Sequence, residues 1–268
     1  MDVDPLTLID LAADAGCDGV CVFVNTPLLP SEDGQIDLGF PLVTRELVPA
    51  FKQRLAERNI GVGNVEFFPV TEALNLDDYR AGLQIGQDIG ASRIVTHIHD
   101  GNFDRAAANL HALGKLAAEY GLTVCLEFTP LFPACASIHD AVRIIQASGS
   151  DNVRIGVDAL HLERSGGTPA DVAAVDPQLI GYSQICDGPR GRGAGYFDEA
   201  LDRQIAGTGE FPLRELIRVL PKHTAYDVEI PLLKLAKQGV PAAERVRLAV
   251  ESARSVLTER VGAFPGQS

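Results

Sequence analysis

Four residues hold the chemistry that can be read first. Glu127 stands near the end of TVCLEF, Asp158 closes RIGVD, Gln184 lies within YSQICD, and Glu229 stands near the end of AYDVEI. These runs are largely apolar, and a carboxylate in a strand covered on both faces is costly unless something compensates it. A single such residue can be a salt-bridge partner or a helix N-cap; four at the ends of successive runs point to one centre. Three carboxylates brought together repel and raise one another's pKa. A divalent cation resolves that conflict, leaving a formal local charge of −1. All four side chains are oxygen donors, a hard set that suits Mg²⁺ or Mn²⁺, with Co²⁺ compatible, better than Zn²⁺. An octahedral ion held this way keeps positions for a substrate's neighbouring carbonyl and hydroxyl oxygens. It would act as a Lewis acid toward an enediolate or enolate.

The elements that must position these groups follow a repeated unit: a short β-rich apolar run, a polar loop, then a stretch of helical period. Strands are expected at Gly19–Val24, Gly61–Phe67, Arg93–His99, Leu122–Phe128, Val153–Asp158, Ile180–Cys186 and Thr224–Ile230. The runs are continuous rather than alternating, as in parallel strands covered on both faces. The helices between them have readable ends. Asp4-Pro5 supplies an N-cap and a first-turn proline, with Gly16 closing that helix. Ser137 and Asp140 have capping-box spacing before 141–147, which Gly149 ends. Further helices are expected at Ala106–Tyr120, at Leu213–Leu220 behind Pro212, and at about Ala242–Arg260, before a fraying FPGQS tail. Alternating βα units mean a parallel α/β fold. Nearly every strand ends in a polar group, among them Glu66, His97 and His99 as well as the four above. That pattern fits a (β/α)₈ TIM barrel, whose functional groups lie at the C-terminal ends of several strands. A doubly wound sheet with a glycine-rich first turn fits less well. The glycines of RGRGAG, from Arg190 to Gly195, have the wrong spacing for a phosphate loop; the segment reads as a mobile loop on which no helix opens.

Composition removes other classes. No linker divides the 268 residues, so one domain is expected over the whole length. With 36 Asp and Glu against 23 Lys and Arg, the net charge of −13 offers no basic footprint for nucleic acid and would be repelled by an anionic membrane. No apolar run approaches the ~18 residues of a membrane span. Cytoplasmic residence is expected from the acidic start MDVDPLTLID and from five cysteines without a C-x-x-C pair; Cys21, Cys125 and Cys186 read as small buried hydrophobes. The partner is then a small molecule.

The residues LEF at Glu127, VDALH at Asp158–His161, QICDG at Gln184 and VEI at Glu229 resemble the xylose isomerase-like TIM-barrel superfamily. It holds sugar (phosphate) isomerases and epimerases, inosose dehydratases, bacterial 3-dehydroshikimate dehydratases and a DNA repair endonuclease. The resemblance, over about Leu6 to Leu257, implies one divalent cation held by Glu127, Asp158, Gln184 and Glu229. It implies an isomerase or epimerase acting on a keto-sugar, inosose or similar polyol-like carbonyl compound by proton abstraction next to the carbonyl. The base would be Glu127, Glu229 or His161. The substrate contacts would be His161, Arg190, and Glu210 in GTGEFPL, with Arg192 competing for the arginine role and Glu210 alternatively favouring a helix N-terminus. His97 and His99, two apart on one strand, face the same side and either line the barrel or pack in its core; Glu66 could meet substrate hydroxyls. Gln184 stands where epimerases carry histidine. It resembles the dehydroshikimate dehydratase branch, so a dehydratase (lyase) is the alternative. The endonuclease is disfavoured by six histidines and the acidic charge, and a non-catalytic barrel by the intact ligand set. A homodimer is common in this fold family. The ligands fall on barrel strands five to eight only if Gly19–Val24 is strand two, so the first strand is expected to be missing or shortened.

Overall fold

The computed structural model describes residues 2–31, 34–191 and 195–258. In chain order the strands are β1 (Gly19–Phe23), β2 (Leu28–Ser31), β3 (Gly34–Asp37), β4 (Gly61–Glu66), β5 (Ala91–Thr96), β6 (Thr123–Glu127), β7 (Val153–Asp158), β8 (Ile180–Ile185) and β9 (Ala225–Val228). The helices are α1 (Pro5–Asp14), α2 (Val48–Arg58), α3 (Arg80–Asp88), α4 (Phe103–Glu119), α5 (Ile138–Ser148), α6 (Ala159–Arg164), α7 (Pro169–Ala173), α8 (Tyr196–Ala200), α9 (Leu213–Val219), α10 (Leu233–Lys237) and α11 (Ala242–Thr258). Seven strands pair in the order β1-β4-β5-β6-β7-β8-β9, every neighbouring pair parallel. This is a nearly closed TIM barrel. β1 and β9 do not pair, so the gap expected from the strand count lies between them, and among the described residues no eighth strand fills it.

Local chemistry fixes the helix ends. Asp4 Oδ1 accepts from the amides of Leu6 and Thr7 at 3.0 Å each, which starts α1 at Pro5. Ser137 and Asp140 form the full capping box of α5, and Gly149, at φ 62°, ends it in a conformation that side chains resist. Ile9, Phe51, Leu83, Ile94, Leu110, Leu126 and Ile155 are all fully buried in the main core. Inside the barrel, Arg93 of β5 reaches both carboxylate oxygens of Asp227 on β9, at 2.7 and 2.8 Å. These strands are not neighbours in the sheet, so the pair crosses the interior, and Arg93 lies over the ring of Tyr182, 4.3 Å from its centroid.

Three sequence expectations need correction. The antiparallel hairpin β2–β3 carries no alternating apolar signal and was not expected. A five-residue helix, α8, does open behind the RGRGAG segment, with Gly195 at its N-cap position; residues 192–194 of that segment, Arg192 included, lie outside the described residues. Helices α4 and α5 each begin three residues earlier than the apolar period suggests, at caps supplied by Asn102 and Ser137. The FPGQS tail also lies outside the described residues.

Candidate active site

The site is built from strand ends. Glu127 is the last residue of β6 and Asp158 the last of β7; Gln184 pairs in register with Asp158, and Glu229 follows β9 directly. Asp158 also caps α6, accepting the His161 amide at 2.9 Å on Oδ1. That cap turns the chain so that the His161 ring folds back over the strand ends. His161 Nε2 lies 2.7 Å from Glu127 Oε1, and Nδ1 lies 3.6 Å from Asp158 Oδ1. One ligand atom from each of Glu127, Asp158 and His161 falls within 4.8 Å of the other two. All three residues are buried.

Sequence reasoning missed Arg203. Its guanidinium is 2% exposed and donates to Asp158 Oδ2 at 2.6 Å and Glu229 Oε1 at 2.8 Å. Gln184 donates its amide nitrogen to the other oxygen of Glu229. The Tyr182 hydroxyl, two residues back along β8, reaches Glu127 Oε2 at 3.3 Å and Gln184 Oε1 at 3.4 Å. Tyr182 fits because its neighbour on β7 is Gly156, where a Cβ would lie 2.6 Å from the tyrosine ring. The i,i+2 relation to Gln184 was available to signal Tyr182. For Arg203 the only signal was the unmet charge of the carboxylates.

The electrostatics follow from that crowding. Burial alone would raise the Glu127 carboxyl, but the close contact with His161 and the nearby His97 together outweigh it and hold the group well below the usual range. Burial pushes Glu229 up to about 7; Arg203 works against the rise, and Asp158 and Glu127 add to it. Burial would lower His161, yet the negative charge of Asp158 and the bond to Glu127 raise it. Glu66 is raised well above the carboxylate range by burial and then by Glu127 and Glu229, which places it in the same field. Its Oε1 accepts from Asn64 Nδ2 at 2.7 Å.

These groups fit a divalent cation. Glu127, Asp158 and His161 bring two carboxylate oxygens and a ring nitrogen within 4.8 Å of one another. Glu229 and Gln184 stand beside them on the next strands, outside that closest group, and Glu229 resists ionisation chiefly through burial and then through Asp158 and Glu127. The charge expected from sequence is corrected here: three carboxylates, one guanidinium and a dication sum to zero rather than −1.

The other expected contacts divide. His97 and His99 do share one side. His97 Nε2 is 3.8 Å from Glu127 Oε1, and its ring meets Phe67 edge-on at 5.1 Å. His99 stacks on Phe132 at 3.6 Å, and burial, then His97, lowers its pKa to about 3. The buried atoms His97 Nδ1 and His99 Nε2 have no hydrogen-bond partner. Arg190 and Glu210 are exposed and meet each other, the Arg190 amide donating to Glu210 Oε2 at 2.8 Å, apart from the central contacts. Asp187, beside them, accepts from the amides of Gly188, Gly207 and Phe211 at 2.8–3.0 Å and so organises the loop that carries Arg203 and Glu210.

Comparison with known proteins agrees with this architecture. The IOLI protein with a zinc atom matches at TM-score 0.76 and 16% identity, over 95% of this chain and 93% of that one. D-Psicose 3-epimerase with D-tagatose, from Clostridium cellulolyticum H10, matches at TM-score 0.69 and 12% identity, over 96% and 94%. The probable 3-DHS dehydratase AsbF of Bacillus anthracis matches at 0.71 and 11%, over 95% and 94%. The chain spans only 43% of a xylose isomerase-like TIM barrel/4-hydroxyphenylpyruvate dioxygenase fusion protein that it also matches. No curated protein matches the sequence. Residues 9–251 match the family described as xylose isomerase-like TIM barrel, and the chain belongs to that family.

Proposed function

We propose that this protein is a divalent-cation-dependent isomerase or epimerase of a small polyhydroxylated carbonyl compound, such as a keto-sugar or inosose, with Mn²⁺ or Mg²⁺ as the ion. The observation that carries this reading is the convergence of Glu127, Asp158 and His161, with Glu229 raised to about 7 beside them. Glu127, Asp158, Gln184 and Glu229 would hold the cation, which when bound supplies charge stabilisation at the carbonyl oxygen as the neighbouring C–H is acidified. Glu229, directly after β9 and beside the other carboxylates, would take up and return the proton from carbon. Glu127, held ionised by His161, sits on β6 and is a second acceptor reaching the substrate from another strand. Arg203 keeps Asp158 and Glu229 fixed during the reaction. His97, His99 and Glu66 would meet the substrate's ring and hydroxyls; Arg190 and Glu210 would act only at the rim. The reading carries with it a cytoplasmic location, no nucleic-acid or membrane partner, and compatibility with a homodimer.

A dehydratase of the dehydroshikimate type is the second reading, favoured by the non-titrating Gln184. A screen of keto-sugars, inososes and 3-dehydroshikimate in D₂O with Mn²⁺, quenched with chelator and read by NMR, separates the two. Deuterium entering next to the carbonyl without loss of water supports the isomerase, and loss of a β-hydroxyl the dehydratase. Full turnover by Glu127→Gln and Asp158→Asn would overturn both.

A further inference from the structure

Two short helices beside the site are joined by two polar rungs. α6 presents His161 and Arg164, and α8 presents Tyr196 and Glu199, each pair spaced i,i+3 and so on one helix face. The Tyr196 hydroxyl is in hydrogen-bond contact with His161 Nδ1 and lies 2.7 Å from Thr129 Oγ1. Arg164 Nε donates to Glu199 Oε2 at 2.7 Å, and Arg164 Nη2 donates to Glu199 Oε1. The same Nη2 donates to the Pro189 carbonyl at 2.8 Å. Arg164 thus holds the chain at two points after β8, Pro189 before α8 and Glu199 within it. Its side chain is 3% exposed and lies over the Phe211 ring, 5.2 Å from the centroid.

α8 has five residues and buries none of them fully, and a helix that short is not stable by propensity alone. Its place is set by what it is tied to. Its last residue then bears on the site, because the Ala200 carbonyl accepts from Arg203 Nε at 3.2 Å. The two terminal nitrogens of the same guanidinium donate to Asp158 Oδ2 and Glu229 Oε1. A guanidinium is planar with its donors in a rigid fork, so fixing Nε sets where the other two point.

We infer that Arg164 is a positioning residue: by clamping Glu199 it holds α8 in place, and α8, through the Ala200 carbonyl, aims Arg203 at the two carboxylates. Arg164 acts only through this chain of contacts, from α6 to α8 to Arg203. What Arg203 then does for the reaction rests on the proposed function; the clamp does not.

The test is hydrogen exchange of arginine Nε–H groups by ¹⁵N–¹H NMR in the full, chelator-treated chain, with the Arg203 signal assigned by its loss in Arg203→Met. The wild-type Arg203 Nε–H should exchange slowly. Arg164→Met should speed that exchange roughly tenfold or more beyond any change in the slowest backbone amides, which report global opening. Glu199→Gln removes the charge but keeps the side chain's shape, and should act in the same direction by a smaller factor; it carries the comparison if Arg164→Met does not fold. Arg105→Met, which strips buried Asp100 of its partner on α4, is the structural control and should leave the Arg203 signal unchanged relative to the backbone. Fast exchange of the wild-type Arg203 Nε–H would overturn the inference whether or not a variant folds. An Arg203 signal that keeps its protection in the folded variants, or changes only in step with the backbone, would overturn it equally. The readout needs neither cation nor substrate, so a failed turnover screen counts against the proposed reaction and leaves this result standing.

Discussion

Arg203→Met removes the guanidinium while keeping most of the alkyl stem. The side chains of Arg203 and Asp158 are 2% and 0% exposed, so the substitution strands Asp158, and Glu229 beside it, without their positive partner. Breaking a buried ion pair from one side costs about 3–5 kcal/mol. At roughly 2–4 °C per kcal/mol for chains of 150–250 residues, Tm should fall on the order of 10 °C in chelator. Formal charges say what a cation would do. Without it the site carries −2 in the parent and −3 in the variant, so a dication has more to neutralise after the substitution. Saturating Mn²⁺ should therefore raise the variant's Tm by more than the parent's. The pH dependence has a defined sign. Glu229 is raised from 4.5 to about 7, so between those values the folded state holds a proton the unfolded state releases, and stability falls as pH rises. Arg203 is the larger of the two groups, with His161, that oppose this rise; the variant's deficit should be larger at pH 8 than at pH 6. Thermal melts with and without Mn²⁺ at both pH values measure all of this. Parent and variant melting together, or equal shifts on adding Mn²⁺, would refute the reasoning.

Other outcomes follow from single contacts. Gly156→Ala places a Cβ 2.6 Å from the Tyr182 ring and should cost about 1–3 kcal/mol by urea unfolding, with Tyr182→Leu restoring most of it. Asp100 is buried against Arg105, whose hydrogen bond holds its carboxyl below the usual range. A depressed carboxyl contributes stability that is present above the unfolded pKa and lost as pH falls through the folded one. Acid titration below about pH 4 should thus destabilise the parent more than Asp100→Asn.

The barrel was legible because its strands announce themselves as apolar runs punctuated by polar ends. The missing pairing between β1 and β9 followed from counting those runs. Asp4, Ser137 and Gly149 worked as helix signals because capping depends on nearby residues alone. The proximity of the candidate ligands was legible for a related reason: Glu127, Asp158 and Gln184 stand at or near the ends of adjacent strands, so β-pairing alone brings them together. Arg203 was not, because it stands on a loop whose path is set by Asp187 accepting three amides, a tertiary arrangement with no local period. Tyr196 and the β2–β3 hairpin were missed likewise, one reaching His161 from a five-residue helix, the other lacking an alternating pattern.

The account stands most directly on whether the strand-end carboxylates hold a divalent cation. Calorimetric titration of chelator-treated protein with Mn²⁺ measures this without knowledge of the substrate. The prediction is one ion per chain for the parent, with affinity reduced at least tenfold in Asp158→Asn, whose ligand atoms lie within 4.8 Å of Glu127 and His161. No binding by the parent, or equal binding by the variant, would contradict it.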